Sequence, residues 1–214
     1  MYLIETLGHE THPLYQSLAI SNGERQFEFL ESIVDAAIKA QHMFLSHGLL
    51  KALNFHAIAC LHTHAGEYRP CEVRVMEGGQ QVMAGVDQFR VQAAMDHFIN
   101  TTNAAWNSND PALMAAFVLW QICRIHPFVN GNGRTARAAC YFVLCVRAGG
   151  LLPGATTLPT LLKNSPDYLP LLRSVDASAV SGVVDLQPLR DLVQRLTEQQ
   201  LQSASAETHE PVPA

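Results

Sequence analysis

Two long apolar segments with one short polar stretch between them constrain this chain more than anything else in it. From Pro111 to about Ile125, the residues Leu113, Met114, Phe117, Val118, Leu119, Trp120 and Ile122 leave hardly any polar face. From Ala138 to Val146 the pattern returns with Tyr141, Phe142, Val143, Leu144 and Cys145. Helices that are apolar almost all round belong in the middle of a bundle. Asp110 is a good N-cap and Pro111 a good first helical residue, so the first of the two has a defined start. Between them runs H-P-F-V-N-G-N-G-R-T-A-R, His126 to Arg137. Two central helices brace this stretch from both sides, which is how a rigid site is built.

The chemistry of the stretch points to a phosphate. Gly131, Asn132 and Gly133 carry little side-chain bulk at the turn, so backbone N–H groups can approach an anion closely. Arg134 and Arg137 are three apart, which places both guanidinium groups on one helix face. The helix they open aims its unpaired first N–H groups and the positive end of its dipole at the same point. Two planar, permanently charged forks suit a polyphosphate better than a single carboxylate. His126 stands before the turn and can take up a proton near neutral pH. A phosphate cradle beside a base suggests phosphoryl-type transfer.

At these residues the sequence resembles the Fic family, whose motif is H-x-F-x-(D/E)-G-N-G-R-x-x-R. Every fixed position is met except one, where Asn130 stands in place of Asp or Glu. The resemblance implies an all-α bundle, the Fic fold, with a small β-hairpin flap. It implies a protein adenylyltransferase, a nucleotidyltransferase that moves AMP from ATP to a hydroxyl side chain of a target protein. His126 would be the base, and Phe128 would anchor the loop. Gly131, Asn132 and Gly133 would hold the α and β phosphates, Arg134 the β and Arg137 the γ phosphate. Position 130 would hold the Mg2+ or Mn2+ ion that bridges the phosphates. An amide oxygen at Asn130 can ligate a hard cation but brings no charge, so metal affinity should fall. Three alternatives stay open: a catalytically weak nucleotide- or partner-binding protein, a toxin component, and transfer of another phosphate-linked group.

Composition narrows the class. A chain of 214 residues, 48% of them hydrophobic, can bury a proper core in one domain. A net charge of -5 gives no nucleic-acid footprint. Five cysteines without C-x-x-C spacing read as reduced thiols. No basic start with a long apolar run marks a signal peptide, and no stretch has the length of a membrane span, so a cytoplasmic protein is expected, with a secreted effector as the other setting.

The remainder reads as support in three parts: an N-terminal lead over 1–23, the Fic-like domain over 24–202, and a disordered tail over 203–214. Residues 1–16 have no clear period and read as extended. Ser17 to Gly23, S-L-A-I-S-N-G, matches the spacing of the family's inhibitory helix, (S/T)-x-x-x-E-(G/N), with Ser21 at the Glu position. A hydroxyl cannot form the carboxylate pair with Arg137 that would block the γ-phosphate site. Glu24 stands close by as a substitute, and an ordinary helix end is the plainer account. Helical spacing then predicts one helix over Glu24 to about His47, stopped by Gly48, and a second over Leu49 to about Thr63. His56, His62 and His64 read as packing or surface residues. Alternation around Gly78 and Gly79 predicts a hairpin. By resemblance, residues 73–82 would dock a target carrying a Ser, Thr or Tyr hydroxyl by strand addition. An antitoxin or a second copy of the chain would be a further partner. Tyr168 is read either as a base contact or as core, and a last amphipathic helix is expected over about Leu186 to Leu201.

Overall fold

The computed structural model describes residues 2–77 and 80–207. Helices α5 (Pro111–Ile125) and α6 (Asn132–Ala148) pack against each other along their length and form the centre of the bundle. Trp120, Phe128, Tyr141 and Phe142 are fully buried there. Asp110 caps α5 by accepting from the N–H groups of Ala112 and Leu113 at 3.4 and 3.0 Å. At the other end α6 stops at Gly149, which takes the left-handed conformation with φ 81°.

Around this pair lie α2 (Pro13–Lys39), α3 (His47–Ile58) and α7 (Leu158–Asn164) against α6. Helices α4 (Val91–Ala104), α8 (Tyr168–Val180) and α9 (Gln187–Glu207) pack against α5. A short α1 (Leu3–Leu7) touches α2. Strands β1 (Arg74–Glu77) and β2 (Gln80–Ala84) pair antiparallel, with a register shift between Val75 and Met76. Gly78 and Gly79, on which the hairpin reading turned, lie outside the described residues, as do residues 208–214. Among the described residues no helix is long and apolar enough to cross a membrane.

The periphery departs from the sequence reading in several places. Residues 1–16 are not an extended lead: α1 forms, and α2 begins at Pro13 with His12 Nδ1 accepting from Leu14 N at 3.2 Å. Ser-Asn-Gly at 21–23 does not end a helix, because the buried Asn22 turns its amide onto the carbonyls of Ala57 and Ala59 and α2 runs straight through. Gly48 is not a stop. It lies in the first turn of α3, whose start is set by Ser46 Oγ accepting from Leu49 N at 3.1 Å. Helix α3 ends at Ile58, short of Thr63, where Cys60 takes a left-handed φ of 63°. The expected tail at 203–214 is helical at its start, since α9 continues to Glu207. Among the described residues no cluster of His, Cys, Asp or Glu has the makings of a metal site. His56 stacks on Phe29 and His62 bonds Tyr15 Oη at 2.6 Å.

Helix α9 is bolted down by one buried amide that periodicity does not reveal. Gln200 Oε1 accepts from Leu158 N at 2.7 Å, while its Nε2 donates to Tyr141 Oη at 2.9 Å and to Leu152 O at 2.8 Å. Leaving those groups buried without partners costs about 2 kcal/mol. Gln200→Ala is therefore expected to lower unfolding stability by roughly that amount in a urea titration, with an unchanged m-value.

Candidate functional site

The stretch from His126 to Arg137 forms the turn between α5 and α6, and side-chain amides hold it in shape. Asn132, buried, accepts from Phe128 N at 2.9 Å and donates back to Phe128 O at 2.9 Å, closing the loop on itself. Phe128 is fully buried, so the loop is anchored in the core as expected of that residue. Asn54 of α3, also buried, donates to Asn130 O at 2.9 Å and to Thr135 Oγ1 at 3.3 Å, and accepts from Gly66 N at 3.1 Å. Gly131 precedes α6 with a left-handed φ of 76°. A Cβ at Gly131 would stand 2.6 Å from Ile58 Cγ2, so both conformation and space require glycine there.

His126 ends α5 in a left-handed conformation, φ 54° and ψ 58°. Its Nδ1 lies 3.3 Å from Cys123 O, and since a carbonyl can only accept, Nδ1 carries the proton and Nε2 is left as the basic nitrogen. Burial, aided by the charge of Arg69, pulls the His126 pKa below the ordinary histidine value, which keeps the ring neutral at pH 7. Arg69, nearly fully buried, donates from Nε to His126 O at 2.7 Å, from Nη1 to Cys71 O at 2.7 Å, and from Nη2 to Val86 O. Its own N–H donates to Pro127 O at 2.9 Å, and Val86 N donates to Ile125 O at 3.2 Å. The stem of the hairpin is thus sewn to the backbone around His126.

Arg134 and Arg137 line one cleft of about 850 Å³, whose other wall is α2 with Gly23, Glu24 and Phe27 and whose floor includes Thr160 and Lys163. Arg134 donates from Nη1 to Ala57 O at 2.6 Å and from Nη2 to Asn130 Oδ1 at 3.2 Å. Arg137 has no hydrogen-bonded partner among the described residues. Ser21, at the position of the inhibitory Glu, is exposed and does not line this cleft; Glu24 does, without a hydrogen bond to Arg137. Nor does His126 line it, so His126 and the arginine cleft are joined through the loop. Gly133 lies at the start of α6 against Arg137 Nη1, 3.3 Å from where a Cβ would sit. Tyr168 is buried with its hydroxyl 3.6 Å from Cys123 Sγ, and it also edges a smaller cleft of about 400 Å³ with Arg137 and Lys163. Burial pushes the Cys123 thiol up to about 11, so it is no nucleophile.

Asn130 does not stand ready for a cation. Its Oδ1 accepts from Gly131 N at 2.6 Å as well as from Arg134, and its Nδ2 donates to Glu10 Oε1 at 2.8 Å. Arg69, Asn54 and Glu10 are the residues that sequence reasoning missed. Arg69 and Asn54 act on backbone atoms that are distant in sequence, and Glu10 sits in a turn without periodicity, so none carries a local signal.

Known proteins resemble this chain in part of its sequence and in its fold. Residues 44–144 match the Fic/DOC family and form a Fic/DOC domain. Protein adenylyltransferase Fic of Drosophila grimshawi is 34% identical over 84 residues, 39% of this chain and 16% of that protein. The protein of the same name in Drosophila mojavensis is 36% identical over the same length and shares. The aligned part is thus about a sixth of those relatives' length. Among solved structures, a Fic domain containing signaling protein from Bacteroides thetaiotaomicron superposes with a TM-score of 0.71 at 20% identity, covering 99% of this chain and 81% of that one. Fic-1 from C. elegans superposes with a TM-score of 0.69 at 18% identity, covering 96% and 56%. The fold is therefore the all-α Fic fold.

Gly131→Ala combines a left-handed backbone with a contact to Ile58, and is expected to cost about 2–4 kcal/mol in denaturant unfolding.

Proposed function

We propose that this chain is a protein adenylyltransferase, with ATP as the AMP donor and a target-protein hydroxyl as the acceptor. The observation that carries the reading is the loop itself. One rigid turn joins a neutral histidine with a free Nε2 to an anion nest, and two arginines follow on one cleft wall. In the reaction the hydroxyl oxygen attacks the α phosphorus, its proton passes to His126 Nε2, and the bond to the departing pyrophosphate breaks. Asn132 and Gly133 offer backbone N–H groups to the α and β phosphates, joined by Gly131 N–H once it leaves Asn130 Oδ1, while Arg134, on leaving the same oxygen, and Arg137 take the β and γ charges. Preorganised donors of this kind supply most of the stabilisation that phosphoryl transfer needs. Residues 73–82 would present the target by strand addition, their stem fixed to His126 through Arg69.

A divalent cation beside the phosphates is part of the family's chemistry. The donors around Asn130 do not fit a resident ion, because its oxygen already accepts two N–H groups and its nitrogen faces a carboxylate. The same engagement favours a second reading, a nucleotide-holding protein that turns over slowly.

Intact-mass spectrometry after incubation with ATP tests the first reading. A gain of one adenylyl group by the wild type and none by His126→Ala, with nucleotide binding kept in both, is the expected result. Nucleotide binding without any transfer, with or without added Mg2+ or Mn2+, would leave the second reading in its place. Because the His126 ring is neutral above a depressed pKa, transfer should fall on acidification only below about pH 6.5, the ordinary histidine value. An acid limb above that value in the pH–rate profile would sink His126 as the base.

A further inference from the structure

The N-terminal turn between α1 and α2 reaches across the chain to the anion loop. Glu10 Oε1 accepts from Asn130 Nδ2 at 2.8 Å and lies 3.4 Å from His62 Nε2. The turn itself is tied down, since Gln16 Nε2 donates to Glu10 O at 2.6 Å. Because a carboxylate only accepts, Glu10 settles which way the Asn130 amide faces, nitrogen outward and oxygen inward. The inward oxygen then takes Gly131 N–H and one N–H of Arg134, two donors that a phosphate would use. Glu10 also lies close enough to Arg134 for each to feel the other's charge, and both line the same cleft. The identity of residue 130 belongs to this arrangement. An Asp there would set two like charges about as close as the present 2.8 Å hydrogen bond.

We infer that Glu10 is a carboxylate latch on the anion loop: it holds Asn130 turned so that the loop's own amide oxygen occupies the phosphate donors, and its charge opposes an incoming polyphosphate at Arg134. The inference rests on the reading of His126 to Arg137 as a polyphosphate site. It differs from the inhibitory-helix expectation in residue, element and arginine, for Ser21 faces solvent and Arg137 is not engaged. The Asn130 side chain is then one half of a pair whose acidic member, Glu10, lies in the N-terminal turn.

Calorimetry with inorganic pyrophosphate, on the full chain and without added metal, tests it. Glu10→Gln and Glu10→Ala are expected to bind about two- to tenfold more tightly than the wild type, with the gain shrinking as salt rises. Arg137→Ala should lose binding. Asn130→Asp should speed amide hydrogen exchange in residues 9–16, and Glu10→Gln in the same chain should restore slow exchange. Unchanged affinity in both Glu10 variants, with binding still lost in Arg137→Ala, would overturn the latch and leave the phosphate site standing. Weaker binding in those variants once Mg2+ is added would overturn it too, by making Glu10 a cation ligand. No pyrophosphate binding in any of these proteins would remove the site and the latch together.

Discussion

Everything in this molecule hangs on the packing of α5 against α6. Both helices are apolar nearly all round, so each must be covered on every side, and the remaining helices are arranged to do that. The turn joining them is the one place along the pair where polar residues gather. Its geometry is therefore set by the most rigid part of the protein, and buried amides complete what packing begins. Asn132 closes the turn locally, and Asn54 fastens it to a third helix. Each of these amides is satisfied on both its oxygen and its nitrogen, so each specifies one arrangement of backbone.

The cleft beside that turn is lined by opposing charges. Arg134 and Arg137 face Glu24, Glu28 and Glu10 across it, so the site is not a simple well of positive potential. Arg134 lines the cleft while tied to Ala57 O and Asn130 Oδ1, whereas Arg137 makes no hydrogen bond among the described residues. Two arginines three residues apart thus differ in what they are free to do. Spacing alone treats them as equals.

Long apolar periodicity made the centre legible. Asp110-Pro111 gave the start of α5 to the residue, and the motif gave the loop. The periphery was not legible in the same way, for a physical reason in each case. Ser21, Asn22 and Gly23 have the composition of a helix end, yet α2 runs through them, and Asn22 is buried with its amide on Ala57 O and Ala59 O. Gly48 reads as a stop, and only the Ser46 cap shows that it lies inside a beginning. In the site, Phe128 is buried and Arg134 and Arg137 line one cleft, whereas His126 does not line it. Arg69 and Glu10 act over 57 and 120 residues of chain, separations at which a local pattern says nothing.

The Arg69 side chain couples two separate pieces of backbone mechanically. One guanidinium holds His126 O and Val86 O at the same time, and Gly85 leaves no side chain between them: a Cβ there would meet both Arg69 Nη2 at 2.7 Å and His126 Cβ at 3.1 Å. The hairpin stem and the end of α5 are thereby geared to one another. A polypeptide that adds to the hairpin as a further strand and shifts its stem would transmit the displacement to the histidine backbone without touching the ring. Displacement of the stem and displacement of the His126 backbone would then be a single motion.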